Sequence, residues 1–398
     1  MLGQGGEHSK TAHRGAVDEA AFEDMEWATL RYSKKAVNRA GVYLAAPGPV
    51  EFDIDVFNKM LDVISNWRAC HNFPLNTFQS GLRRRARVID PACLVAQRIK
   101  RLSSIALKLE RFPSMTLSQM QDIGGCRAVM SSSAKVRELV KAYRRSDIKH
   151  ELSQMDDYIR DPKESGYRGV HLVYKYHSDK KADYNGLKIE MQLRSQMQHI
   201  WATAVETVGT FTEQALKSSQ GEEDWLRFFA LMGTAFAIAE RTPPVPQTPT
   251  GPELLMELAA LAEKLDVQGQ LNTFGGALQV IESRDQRDDH FYLLELDPRN
   301  KQLNVTAFRA SESDAAENAY LDAEKRMRLS PGAQAVLVSV DRITSLRRAY
   351  PNYFLDTGNF VSLLNDALTG RKLKVPRPKL IGDPDKTPPL LKGMGVFG

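Results

Sequence analysis

Residues 157–194 read DYIRDPKESGYRGVHLVYKYHSDKKADYNGLKIEMQLR. At its end Lys188, Glu190, Gln192 and Arg194 alternate with Leu187, Ile189, Met191 and Leu193. Side chains on a strand point to opposite faces in turn, so this segment predicts one wholly apolar face and one face carrying carboxylate, amide and guanidinium groups. A polar row backed by an apolar row suits the floor of a cleft. At its start the stretch packs Lys163, the turn residue Gly166, Tyr167 and His171 into nine residues. A cation, a glycine turn and an aromatic face beside an acidic strand read as a nucleotide site.

Working outward, residues 95–211 predict alternating strands and helices: a helix over 104–111, a strand over 123–130, a helix over 134–143, strands over 169–177 and 187–194, and a helix over 196–211. The class is α+β, a mixed sheet flanked by helices. Upstream, 33–46 predicts a helix capped by Ser33, 55–70 repeats Phe57, Met60, Leu61, Ile64 and Trp67 on one side, and 76–89 carries an arginine triplet and ends before Pro91. These form an N-terminal helical cap. Residues 222–240 predict a buried helix, apolar on nearly every side.

The proline-rich segment TPPVPQTPTGP at 242–252 favours extended backbone and predicts a linker. The expected division is a disordered segment at 1–30, a main domain at 31–241, the linker, a small α+β accessory or regulatory domain at 253–370, and a basic, proline-rich tail at 371–398. In the accessory domain we expect helices at 253–265 and 268–283, strands at 290–296 and 302–308, a helix at 314–329, a strand at 333–340 and two final helices.

With 398 residues, 42% hydrophobic and 26% charged, the composition is that of a soluble globular protein of about two domains. No apolar run approaches the roughly 20 residues that span a bilayer, and the first residues lack a signal-peptide apolar region, so the expectation is a cytoplasmic protein with no membrane partner. Cys70, Cys93 and Cys126 are too few and too scattered for a disulfide framework or a zinc site, and are expected to be reduced.

Charge is concentrated in one block. Residues 81–111 hold nine basic side chains against two acidic ones, a distribution that attracts polyphosphate or nucleic acid. Within it Arg98, Lys100, Ser104 and Lys108 combine cations with a serine able to cap the helix that carries Lys108, which together make an anion site. Downstream, QDIGGCR (121–127) sends Asp122 into a strand whose glycines permit close approach. By residue type alone, Asp122 also fits a turn, Tyr167 a packed aromatic and His171 a hydrogen-bonded core residue. Arg83, Arg84, Arg85 and Arg87 fit either a solvated face or a polyanion contact.

Taken in order, R-x-K-x-x-x-S-I-x-x-K from Arg98, D-I-x-G-x-R from Asp122, D-Y-I-x-x-P-K-x-x-G-Y-R-x-x-H from Asp157, E-x-Q-x-R from Glu190 and H-x-W-A from His199 resemble the synthetase domain of the RelA/SpoT alarmone-synthetase family. The resemblance implies a nucleotidyltransferase-like mixed sheet that moves pyrophosphate from ATP to the 3′-hydroxyl of a guanine nucleotide, giving a (p)ppGpp-type alarmone and AMP. It implies that Asp122 and Glu190 hold Mg²⁺, with Mn²⁺ as a substitute. Arg98 and Arg127 would stack on adenine, and Lys100, Ser104 and Lys108 would reach the ATP phosphates. Tyr167 would stack on the acceptor base, with Lys163, His171, Gln192 and Arg194 completing the acceptor pocket. A carboxylate beside a cation has a lowered pKa, so Glu190 suits a metal ligand better than a strong base.

Gly169 stands where the family has a serine in Y-x-S-L-H, which removes one acceptor-pocket hydroxyl. There is no His-Asp dipeptide, so hydrolase activity is not expected. Two other functions fit: a toxin that pyrophosphorylates the 3′-CCA end of tRNA under restraint by the C-terminal domain, and a non-catalytic nucleotide- or RNA-binding regulator. A protein trigger or antitoxin acting through the C-terminal domain, and a homo-oligomer, are the remaining partners considered.

Overall fold

The computed structural model describes residues 27–45, 54–211, 223–269, 271, 291–297, 302–327, 334–339 and 358–375. Strands β1 (Leu94–Ile99), β2 (Gly124–Met130), β3 (Glu151–Asp157), β4 (Val170–Lys175) and β5 (Lys188–Ser195) form one mixed sheet in the order β1-β2-β5-β4-β3. The alternation on β5 holds: Ile189, Met191 and Leu193 are buried beneath the sheet, while Glu190 and Gln192 are half-buried on its other face. β5 runs parallel to β2, with Gly125 opposite Glu190 and Arg127 opposite Gln192. It runs antiparallel to β4, which puts His171 opposite Gln192 and Val173 opposite Glu190.

Helices α1 (Lys34–Ala45), α2 (Ile54–Ala69), α3 (Asn72–Ile89), α4 (Leu102–Arg111) and α5 (Ser133–Arg144) complete this half. Ser33 caps α1, its hydroxyl accepting from the Ala36 N–H at 3.3 Å. α3 begins four residues before the expected start because Pro74 sits in its first turn, where a missing N–H breaks no helical bond. Leu75, Phe78, Leu82 and Ala86 of α3 share one core with Cys126, Ala128, Ile189 and Met191 under the sheet. Each large side chain buried there contributes about 1.5–3 kcal/mol.

His71, just before α3, is 1% exposed, and its Nδ1 lies 2.7 Å from the Trp67 carbonyl. Burial pushes its pKa down to about 4, outweighing that hydrogen bond. The folded state therefore resists protonation that the unfolded chain accepts at its ordinary pKa of 6.5. Stability should fall by about 3 kcal/mol as pH drops from 6.5 to 4. Urea unfolding at stepped pH should show this part of the acid dependence disappear in His71→Gln.

The structure departs from expectation in several places. β1 and β3 are strands beyond the three that the sequence pattern predicts for this sheet. Residues 27–30, within the segment expected to be disordered, are ordered: Trp27 packs edge-on to Phe73, and the Asn66 amide donates to the Thr29 carbonyl at 2.8 Å. The proline-rich 242–252 segment is docked: Val245 is buried with its N–H on Thr234 Oγ1 at 3.0 Å, and Arg168 Nη2 donates to the Pro243 carbonyl at 2.6 Å.

Helices from both sides of it, α6 (Gln196–Phe211) and α7 (Glu223–Glu240) before and α8 (Pro252–Lys264) and α10 (Gly358–Leu368) after, share a second core that includes Trp201, Phe229, Leu258 and Phe360. The chain thus does not part cleanly at 242–252. Strands β6 (Phe291–Asp297), β7 (Gln302–Phe308) and β8 (Gln334–Ser339) make an antiparallel sheet ordered β7-β6-β8, covered by α9 (Ser313–Met327). The tail residues Leu373 and Val375 pack on the second core. Residues 1–26 of the expected 1–30 segment, residues 376–398 of the expected 371–398 tail, nearly all of the 268–283 helix and one of the two final helices lie outside the described residues. No helix among the described residues is long and apolar enough to cross a membrane. The three cysteines are free; Cys70 and Cys126 are buried and Cys93 partly so.

Candidate active site

The polar faces of β1, β2 and β5 line an open cleft with Arg98, Lys100, Asp122, Arg127, Glu190 and Gln192 around it. Gly125 and Cys126 also line it. The two glycines at the start of β2 do different work: Gly125 opens the cleft, whereas a Cβ on Gly124 would strike Ile189 Cδ1 at 2.7 Å on the core side.

Asp122 is clamped by two cations, Lys100 Nζ at 2.7 Å on one oxygen and Lys108 Nζ at 2.9 Å on the other. Burial would raise its pKa, but the two ammonium groups overcome it and hold the carboxyl far below the usual range. Lys100 moves down, because burial outweighs its partner. Arg98 sits opposite Gly125 and Arg127 opposite Ala96, so the two guanidinium side chains are diagonal neighbours across β1 and β2. Diagonal positions are roughly 7–8 Å apart, about the spacing that admits one flat ring between two stacked groups. Ser104 does not cap α4: the helix starts at Leu102, and the Ser104 hydroxyl accepts from Arg101 Nε at 3.3 Å.

A chain of hydrogen bonds continues from the cleft along β5 to β4 and the loop before it. Glu190 accepts from Gln192 Nε2 and pairs with His171 Nδ1, each at 2.8 Å. His171 Nε2 lies 2.5 Å from the Tyr167 hydroxyl, which takes a 2.8 Å bond from Arg194 Nη2. Arg194 and Arg127 both donate to Gln192 Oε1, at 2.9 and 3.4 Å. Burial would lower the His171 pKa, but Tyr167 and Glu190 oxygens overcome it and lift it to about 9. Burial would raise Tyr167, but Arg194 and His171 bring it down to about 8. For Glu190, burial pushes upward and the bond and charge of His171 pull below the ordinary carboxyl value.

Tyr167 is 7% exposed, with Trp201, Tyr158 and His171 packed edge-on and the Arg194 guanidinium 5.1 Å from its ring centroid. It is both a packed aromatic and a hydrogen-bonded neighbour of the cleft. Lys163 is exposed, its ammonium 4.3 Å from the Tyr158 centroid and 5.4 Å from that of Tyr167. Tyr158, inside the D-Y-I motif, is a further aromatic here whose role residue type alone does not mark. Gly169 lies against the Arg194 side chain, where a Cβ would meet Cγ at 3.3 Å. Arg83, Arg84 and Arg87 are exposed on α3, across the sheet from the cleft, and Arg85 lies over the Tyr143 ring at 5.0 Å.

The mixed sheet carries a cleft in which two carboxylates and several cations meet, charges chemically suited to phosphate-bearing ligands. Residues 97–214 match the family described as "Region found in RelA / SpoT proteins", and the chain carries that region. The chain is 33% identical over 118 residues to "GTP pyrophosphokinase YjbM" of Bacillus subtilis (strain 168), a match covering 29% of this chain and 54% of that protein. It is 29% identical over 112 residues to "GTP pyrophosphokinase YwaC" of the same organism, covering 27% and 52%. The chain thus spans about half the length of the curated relatives it matches. The small alarmone synthetase 1 of Bacillus subtilis bound to pppGpp aligns with a TM-score of 0.39 at 22% identity, covering 44% of this chain and 92% of that one.

Proposed function

We propose that this protein transfers the β,γ-pyrophosphoryl group of ATP to the 3′-hydroxyl of a guanine nucleotide and releases AMP. The observation that carries the reading is the convergence, on one cleft, of the Arg98–Arg127 pair, the Lys100–Asp122–Lys108 clamp and Glu190. The new bond joins the acceptor 3′-oxygen to the β-phosphorus, the bond from that phosphorus to the α,β-bridging oxygen breaks, AMP leaves with those electrons, and the hydroxyl proton is released to solvent. Transfer of this kind depends mainly on positioning and on neutralising phosphate oxygens, which is what a cluster of cations supplies.

Arg98 and Arg127 hold adenine between them, and Lys100, Ser104 and Lys108 take the donor phosphates. Both carboxylates fit a divalent cation: they face one cleft, are held ionised, and each oxygen keeps a lone pair beyond its present partner. Mg²⁺, or Mn²⁺ in its place, held by Asp122 and Glu190 would offset charge on the donor phosphates. Glu190 orients the acceptor hydroxyl and receives its hydrogen bond, its lowered pKa making it a weak base at best. Tyr167 stacks on the acceptor base once Lys163 gives up its place beside the ring, with Arg194 and Gln192 fixing the pocket wall and His171 bridging it to Glu190. The arginines of α3 lie on the far side of the sheet, which favours a nucleotide acceptor over an RNA one.

The test is incubation of the full chain with ATP labelled on its β or γ phosphate together with GDP, GTP, ATP or deacylated tRNA. Label on GDP or GTP is expected; label on tRNA alone, or on no acceptor with Mg²⁺ present, overturns the proposal. Arg98→Ala should raise the KM for ATP by about tenfold while leaving the acceptor KM unchanged, the scale of one lost cation–π stack.

A further inference from the structure

Arg68 lies at the end of α2, outside residues 97–214, and is 5% exposed. Its guanidinium meets two other parts of the chain at once. Nε donates to the Lys100 carbonyl at 3.0 Å, Nη1 pairs with Glu324 of α9 at 3.1 Å, and Nη2 donates to the Tyr320 hydroxyl. Glu324 Oε1 accepts the Leu102 N–H at 2.7 Å and also the Tyr320 hydroxyl. The Lys100 N–H is taken by the Ile123 carbonyl at 2.8 Å. The turn from β1 into α4 is therefore held at three backbone atoms: Lys100 N, Lys100 O and Leu102 N.

That turn aims Lys100, and the helix it starts carries Ser104 and Lys108. A carboxylate at the first N–H of a helix is a favourable cap, and it occupies a place an anion would otherwise use. Its location decides which role it has. None of Arg68, Leu102, Tyr320 and Glu324 lines the cleft, and Leu102 belongs to the buried face of α4 with Ile105 and Leu109. Lys100 and Lys108 reach Asp122 on the cleft side. Glu324 braces the turn from behind and leaves the cleft open. Arg68 requires such a partner, since a buried guanidinium without a counter-charge is strongly destabilising.

We propose that Glu324 is a positioning residue for the donor-phosphate cations, so that α9 and its sheet are an integral support of the synthetase cleft. The inference rests on the reading of Lys100, Ser104 and Lys108 as donor-phosphate ligands. In the full chain, Glu324→Ala removes both the cap and the counter-charge, whereas Glu324→Gln keeps an acceptor for the Leu102 N–H and removes only the charge.

Glu324→Ala is expected to raise the KM for ATP by about tenfold, the scale of one lost cap, with kcat and the acceptor KM within about twofold. Glu324→Gln should recover part of that loss, and hydrogen exchange of peptide 100–108 should quicken in the same order. A lower KM or a higher turnover in Glu324→Ala would show that α9 restrains the cleft, and would overturn the proposal. An unchanged KM with only a lower Tm reduces the contact to a structural bond and overturns it equally. Calorimetric binding of a non-hydrolysable ATP analogue separates this inference from the transfer reaction. If the wild-type chain binds the analogue yet labels no acceptor, the transfer reading fails, and weaker analogue binding in Glu324→Ala still supports the brace. Unaltered analogue binding overturns the brace, and a wild-type chain that binds no analogue overturns both.

Discussion

Glu190→Gln and Asp122→Asn should each cut pyrophosphate transfer by at least about a thousandfold while the chain stays folded, since each removes one of the two carboxylates proposed to hold the divalent cation that would offset the donor phosphates. The two losses differ in detail. Glutamine at 190 keeps the size of the side chain but presents an amide N–H₂ to either His171 or Gln192, both of which now meet carboxylate oxygens at 2.8 Å. Asparagine at 122 leaves Lys100 and Lys108 without their shared counter-charge, and Lys100, already pushed down by burial, should lose its proton more easily still. Initial rates at saturating nucleotide, read beside circular dichroism, measure both effects. Transfer within tenfold of the parent in either variant would remove that carboxylate from the reaction.

Gly166→Ala should cost about 2–5 kcal/mol of stability, the sum of roughly 1–2 kcal/mol for a left-handed backbone and 1–3 kcal/mol for overpacking. Gly166 has a φ of +90°, and a Cβ there would stand 2.9 Å from the Phe229 carbonyl oxygen and 3.0 Å from Trp201 Cζ2. No flexible side-chain end is available to yield. Gly166 closes the loop through its N–H on the Lys163 carbonyl at 2.9 Å, one residue before Tyr167. Displacing it should raise the acceptor KM more than the ATP KM, because the cations proposed to bind the donor stand on or beside β1, β2 and α4. Denaturant unfolding and paired KM measurements test this; an unchanged midpoint would mean that α7 shifts to make room.

The parts of the structure that were legible in the sequence are those with local causes. β5 announced itself through strict alternation, α1 through Ser33, the end of α3 through Asp90-Pro91, and the loop through Gly166. β1 and β3 were hidden for opposite reasons. β1, LVAQRI, interrupts its apolar pattern with Arg98 because that side chain serves the cleft. β3, ELSQMDD, is an edge strand with its first four residues exposed, so no alternation was needed to build it. The cap of α4 was unreadable because its acceptor is Glu324, 222 residues further along the chain. The linker failed for a similar reason: proline composition predicts extended backbone correctly, but gives no sign that Thr234 and Arg168 hold it down.

The strand order carries one further meaning. β2 joins one edge of β5 and β4 the other, so the proposed ATP-handling and acceptor-handling parts of the chain touch the same central strand from opposite sides. Such a layout makes the two halves separately exchangeable. The loop at 158–169 and β4 could be recast for a new acceptor by grafting, with the β1–β2 pair left as a standing module for its donor.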